Sequence, residues 1–261
     1  MPRALQTICG FFTAAGAGTG VVTANGGDTF TVQSFSNGSA RITSLWANGA
    51  TTDFLRVRSP RMHDANQGLR LQTGGILDVP VIPYDLDVPL FSVDTPIVEL
   101  DETGAGTGAI SVTYDYDDLP GVQPRLANWA DVSPRIMAVS GVQVALGAIG
   151  AIGSYSAGVA LNASFDNFEA GADYALLGMT TPATRLAVSV AGQDTGNLKI
   201  GIPGLADPRT TADWFIRLSE RSARPCIPII NANNKGSTQV FQADNAASAA
   251  INVTLILAEL K

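Results

Sequence analysis

The chain has a single histidine, His63, with Asp64 beside it and Ser59 four residues earlier. Serine, histidine and a carboxylate are the parts of a nucleophilic hydrolase. Here they share one short loop, SPRMHD, and neighbours in a loop rarely converge on one substrate atom. No G-x-S-x-G turn, which would expose a nucleophile, occurs anywhere. One histidine also fails to supply the clustered ligands of a metal-dependent enzyme on a β scaffold. The sequence therefore assigns no catalytic residue, no metal ligand and no cofactor, and the chain reads as a non-enzyme. His63 reads as a loop residue bonded to backbone or to a neighbouring subunit.

Four arginines surround that loop: Arg56, Arg58, Arg61 and Arg70. Arg56 and Arg58 alternate with Leu55 and Val57, so on a strand they occupy the face opposite the core. A guanidinium fork pairs with carboxylates across interfaces. Arg56, Arg58, Arg61, His63 and Asp64 are therefore the candidate subunit-interface residues. A plain solvated face is the alternative.

Other motifs have plainer readings. Gly-Ala-Gly-Thr-Gly occurs at 16–20 and 104–108, but each copy runs into a strand-like segment, whereas a phosphate cradle opens a helix. Both read as loops. Asp85 with Asp87, and Asp115 with Asp117 and Asp118, could suit calcium, but without EF-hand spacing they read as solvated loop charges. Cys9 and Cys226 give neither metal spacing nor a disulfide framework; one bridge is possible, and two small buried apolar residues are the expected state. The triplets at Asn37, Asn162 and Asn252 match a glycosylation sequon and carry no weight in an Asn/Ser/Thr-rich chain.

The elements that must position these residues are strands. Ala109–Tyr116 alternates, with Ile110, Val112, Tyr114 and Tyr116 on one face and Ser111, Thr113 and Asp115 on the other. Similar patterns predict strands at 4–13, 28–35, 41–46, 53–58, 68–72, 88–93 and 96–100. In the second half they fall at 135–146, 161–165, 174–179, 184–190, 197–202, 226–230, 238–242 and 250–259. Asp213–Glu220 fits strand or short helix. The segment 117–134 has three prolines and a glycine and reads as a linker, packed through Leu126 and Trp129. The apolar stretch 142–159 is Gly-rich, contains Gln143 and reads as buried strands with a bend. Gln6 and Thr7 interrupt the N-terminal apolar run, so neither a signal peptide nor a membrane span is expected.

The halves repeat each other. Leu55–Arg58 answers to Leu186–Ser189, Gly68–Leu71 to Asn197–Ile200, and Ala109–Thr113 to Ala250–Thr254, with spacings from 129 to 141 residues. Pro96–Val98 and Pro228–Ile230 are read as a fourth pair. Order and spacing point to a tandem duplication. Chance resemblance among Ile/Val/Thr-rich strands is the alternative. The expected fold is all-β: two tandem eight-stranded antiparallel jelly-roll sandwiches, 1–118 and 135–261, joined by a packed linker, 119–134. An immunoglobulin-like sandwich is the rival, without cysteine–tryptophan spacing or a tyrosine corner to support it.

Composition bounds the partners. A formal net charge of −7 argues against a surface devoted to nucleic acid. Charged residues make up 15% of the chain, little enough that much of its outside could be covered by partners.

A duplicated jelly roll with a packed linker resembles the double jelly-roll major capsid proteins of tailless, often membrane-containing bacteriophages and of the adenovirus lineage. The resemblance rests on the paired segments and covers the whole chain. It implies a structural virion protein: a homotrimer forming pseudo-hexameric capsomers in an icosahedral shell, contacting other capsid proteins, with a membrane beneath. No specific nucleic acid partner is implied, and no residue can be carried over as a site. The alternative function is a β-sandwich decoration, tail or carbohydrate-binding adhesin-like protein, using Trp46, Trp129 or Trp214 in a cleft.

Overall fold

The computed structural model describes residues 3–35, 38–49, 51–59, 61, 67–73, 88–161, 168–183, 185–204, 208–244 and 246–261. The chain is mostly antiparallel β-sheet. The first half contributes β1 (Ala4–Ala14), β2 (Gly18–Val21), β3 (Thr23–Ala24), β4 (Ala40–Asn48), β5 (Thr52–Arg58), β6 (Leu69–Gln72), β7 (Pro89–Leu90), β8 (Ile97–Glu102) and β9 (Gly106–Tyr116). Then come β10 (Leu126–Ala127), the short helix α1 (Trp129–Val132), β11 (Ile136–Leu146), β12 (Val159–Ala160), β13 (Asp173–Thr180), β14 (Arg185–Ala191) and β15 (Ile200–Gly204). Helices α2 (Pro208–Thr211) and α3 (Trp214–Ser222) precede β16 (Ile227–Asn231), β17 (Gln239–Ala243) and β18 (Ile251–Leu260).

Four sheets result, with orders β3-β1-β9-β4-β7, β2-β8-β5-β6, β10-β16-β13-β18-β11 and β12-β17-β14-β15. Set aside the two-residue strands β3 and β10 and number the other eight strands within each half. Both halves then read 1-8-3-6 in one sheet and 2-7-4-5 in the other. In both, the third strand carries a bulge against the eighth, between Ile42 and Ser44 and between Leu176 and Gly178. Two of the sequence pairings fall on strands of equal rank, β5 with β14 and β9 with β18; in the third, Gly68–Leu71 runs into β6, but of Asn197–Ile200 only Ile200 falls in β15, the strand of equal rank. The fourth does not match in rank. Pro96–Val98 runs into β8, the seventh strand of its half, whereas Pro228–Ile230 lies in β16, the sixth. A proline beside two β-branched residues suits many strand starts, so that match carried no register information.

Each half has its own apolar core. Ile8, Leu45, Leu55, Val57, Val112 and Tyr114 belong to the first, and Val142, Val144, Leu176, Val188, Trp214 and Leu255 to the second. A third cluster joins them: Cys9, Trp46 and Ala109 of the first half meet Leu186, Ala187 and Ala243 of the second. The β1–β9–β4 sheet of the first half thus lies on the β14–β15–β17 sheet of the second, making a four-layer stack. Hydrogen bonds cross this seam. The Thr7 amide donates to the Lys199 carbonyl at 2.7 Å, and the Gly201 amide donates to Thr7 Oγ1 at 2.9 Å. A Cβ at Gly201 would come within 3.2 Å of the Thr7 methyl and 3.1 Å of Ser189 Cβ, so any larger residue would push the two halves apart by a few tenths of an ångström.

Several local expectations change. Residues 28–35 form no strand: Phe30 and Val32 are buried, but the Val32 amide bonds the Asp94 carbonyl outside any ladder. Gly18–Val21 is the paired strand β2 where a loop was expected, because β8 supplies its hydrogen-bond partners. Gly106–Gly108 likewise opens β9. Asp213–Glu220 resolves as helix α3, whose Trp214, Phe215 and Leu218 share a buried face. In β14 a bulge between Arg185 and Val188 breaks the alternation, so Leu186 falls in the seam while Val188 and Val190 stay in the core. The 142–159 stretch is the end of β11, a loop and the start of β12; among the described residues no helix is long and apolar enough to cross a membrane. Cys9 and Cys226 are both free and buried.

Candidate functional site

The arginine face expected from the sequence is present on β5. Leu55 and Val57 are fully buried, and Arg56 and Arg58 point away from the core. Both arginines converge on Glu99 of β8, which is paired with β5: Arg56 Nε donates at 2.6 Å, and Arg58 donates through Nε at 2.9 Å and Nη2 at 2.8 Å. Arg70 of β6 stacks its guanidinium 3.8 Å from the centre of the Phe54 ring. Arg61 is exposed and donates to the Ser92 carbonyl at 3.0 Å. His63 and Asp64 lie outside the described residues, as do Asp85 and Asp87.

The hydrogen bond from Arg58 holds the Glu99 carboxyl below its ordinary value, with Arg56 adding to it and burial opposing. A carboxyl lowered on folding binds fewer protons in the native state than in the unfolded state, where a glutamate titrates near ~4.3. Its stabilisation is present above that value and is lost as pH falls through the folded one. Asp173, lowered chiefly by its hydrogen bond from Arg125, acts in the same direction. Melting temperatures should therefore fall between roughly pH 5 and pH 3. Glu99→Gln should melt lower than the parent at neutral pH and lose less on acidification; parallel curves for the two proteins would refute the assignment.

Two polar clusters flank the seam. At one end Asp115 of β9, fully buried, meets Arg3 at 3.1 Å and Arg224 Nε at 3.1 Å. Asp117 joins them, paired with Arg224 and hydrogen-bonded by Ser39. Burial raises the Asp115 carboxyl above its ordinary value, and Arg3 and Arg224 pull against that shift. At the other end Asp28 accepts from Tyr155 Oη at 2.7 Å and from Lys199 Nζ at 3.0 Å, with the ammonium 4.4 Å from the Tyr155 ring centre. Buried Cys9 adjoins this cluster, and desolvation pushes its thiol up to about 12, far from the range of a reactive thiolate. From the sequence Cys9 is a small buried residue, as found, and Asp115, Asp117 and Asp118 are solvated loop charges, which Asp115 and Asp118 are not, since both are buried; Arg3, Asp28, Tyr155, Lys199 and Arg224 were not singled out. Asp115 sits at an outward position of a half-buried strand and reads as solvated; the second half covers it.

The chemistry on offer is cohesion and recognition. The described residues contain no group of three or more His, Cys, Asp or Glu placed to hold a metal. Trp46 and Trp214 are buried, which leaves Trp129 as the aromatic of the three at the surface, beside a groove of about 370 Å³ with Asn128, Ser219 and Glu220.

No protein-family model and no curated protein matches the sequence. Among solved structures the chain is similar to the STIV MCP, at 9% identity over 99% of this chain and 96% of that one, with a TM-score of 0.23. It is similar to the major capsid protein P2 from bacteriophage PM2 at 10% identity over 99% and 98%, with a TM-score of 0.22.

Proposed function

We propose that the chain is a structural virion protein, a major capsid subunit built as a double jelly roll. The observation that carries this reading is the shared strand order: 1-8-3-6 over 2-7-4-5 in both halves, with the halves fused through a buried seam. Eight antiparallel strands in those two sheets fit a jelly roll, and a tandem pair gives one rigid tile with two near-equivalent modules. Residues 1–118 and 135–261 are the two modules in this reading. The linker 119–134 is anchored to both, since Leu119 belongs to the first core and Val132 to the second. Three such chains present six modules around one axis, the shape of a pseudo-hexameric capsomer in an icosahedral shell. The reading places the protein in the virion and gives it no catalytic role.

The expected result is a mass of three chains by light scattering of purified protein, and six-lobed particles by negative-stain microscopy. A stable monomer across native buffers and concentrations would overturn the reading.

A further inference from the structure

The seam inside the chain covers a sheet face whose counterpart in the second half is bare among the described residues. In the first half the outward row of β1 and β9 pairs Leu5 with Asp115, Thr7 with Thr113 and Cys9 with Ser111, and every one of these side chains is buried by the other half. Strands β11 and β18 hold the same ranks, and the sequence repeat sets Thr254 in the place of Thr113. The matching row is Gly141 with Ile256, Gln143 with Thr254 and Ala145 with Asn252. There Gly141, Gln143, Ala145 and Asn252 are exposed and Thr254 and Ile256 half-buried.

The bare face differs from its counterpart in charge. β11 has no ionisable side chain, and Ile256 stands where Asp115 stands in the first half. Met137 and Val139 at the start of β11 are 63% and 57% exposed. β11 also ends its sheet, whereas the edge of β1 is capped by β3 and by the Lys199 carbonyl. A long, charge-free terminal strand with exposed apolar residues is a template for association unless something covers it.

We propose that a second copy of this chain covers it, through the outer face of the copy's β5, β6 and β8. This deepens the shell-subunit reading and rests on it. Within the chain the covering layer comes from the fourth, fifth and seventh strands of the second half. The same three ranks of the first half, β5, β6 and β8, have an outer face that no other described residues cover, with Arg70 exposed and Arg56 and Arg58 half-exposed. The contact between copies therefore continues, at the same ranks, the interface already formed between the halves. Its charges fit as well. In the internal seam Arg224 needs Asp115, but on the incoming face Arg56 and Arg58 bring Glu99 with them, so they can lie against the row of Gln143, Ala145, Asn252 and Thr254, which carries no carboxylate. A hollow of about 550 Å³ bordered by Gln143, Thr180, Pro182, Asn252 and Thr254 gives room for a long side chain. Among the described residues each copy carries one bare face of each kind, so contacts run head to tail, and the shell-subunit reading has three of them close into a ring.

The test uses charge sign at one exposed position. Gln143→Arg sets a cation against the incoming arginines and should weaken association by ~100-fold, because like charges in a contact cost several kcal/mol. Gln143→Glu offers those arginines a carboxylate and should keep or tighten it. Gln123→Arg, in an exposed linker position, should leave it unchanged. Association is read by sedimentation equilibrium, and folding by circular dichroism of each variant. A trimer that withstands Gln143→Arg overturns the proposal, as does equal disruption by Arg and Glu. A wild-type chain that never associates defeats the shell-subunit reading itself, which is a different result.

Discussion

Replacing Arg224 with methionine is expected to cost about 3 kcal/mol at neutral pH, the lower end of what stranding a buried charge costs. Asp115 is fully buried and leans on two guanidiniums, so removing Arg224 leaves it with Arg3 alone. Arg3 is about a quarter exposed, which softens the loss. The deficit should depend on pH in a direction opposite to that of Glu99. Burial already raises Asp115, and without Arg224 its folded value rises further. A carboxyl raised on folding takes up a proton more readily in the native state, so stability is lost as pH rises through the folded value and is recovered below it. The gap between parent and Arg224→Met should be widest at neutral pH and narrow on acidification. Urea unfolding at several pH values measures it. A gap that is constant with pH would mean the side chain acts through packing only.

The second large effect belongs to Trp46. Its side chain is completely buried, yet it belongs to neither sandwich core and sits instead with Cys9, Ala109, Leu186, Ala187 and Ala243 between the halves. Trp46→Ala should cost about 3–5 kcal/mol, as large-to-small changes at buried aromatics do. Its distinguishing mark is cooperativity. The seam couples the halves, so the variant should unfold in two calorimetric steps where the parent unfolds in one. A core control, Val112→Ala, should lower the melting temperature while keeping a single step. Two steps in the control, or one step in Trp46→Ala, would count against the seam as the coupling element.

Much of the fold was legible because strand alternation and tandem order are properties of the chain itself. Ile110, Val112, Tyr114 and Tyr116 declared the inner face of β9, and the repeat of Ala109–Thr113 at Ala250–Thr254 marked strands of equal rank. Arg56 and Arg58 were placed on the outer face by the same pattern, although their shared partner Glu99, forty-odd residues away, was not visible in it. Residues 28–35 alternate equally well and form no strand, since alternation reports which side chains are buried and cannot report whether a neighbouring backbone supplies hydrogen bonds.

An all-β chain in two similar halves, with apolar inner faces to its strands and arginines outside one of them, follows from the residue pattern alone. Which outer faces stay outside depends on how the layers stack. Thr7, Ser111, Thr113 and Asp115 look as solvent-ready as Gln143, Asn252 and Thr254, yet the first set is buried in the seam and most of the second is at the surface. The reason is that a period of two separates the two faces of a strand and says nothing about what a further layer does to either. Stacking one sandwich on the other turns the outside of one sheet into an interior, and Asp115 becomes a buried ion that needs Arg3 and Arg224.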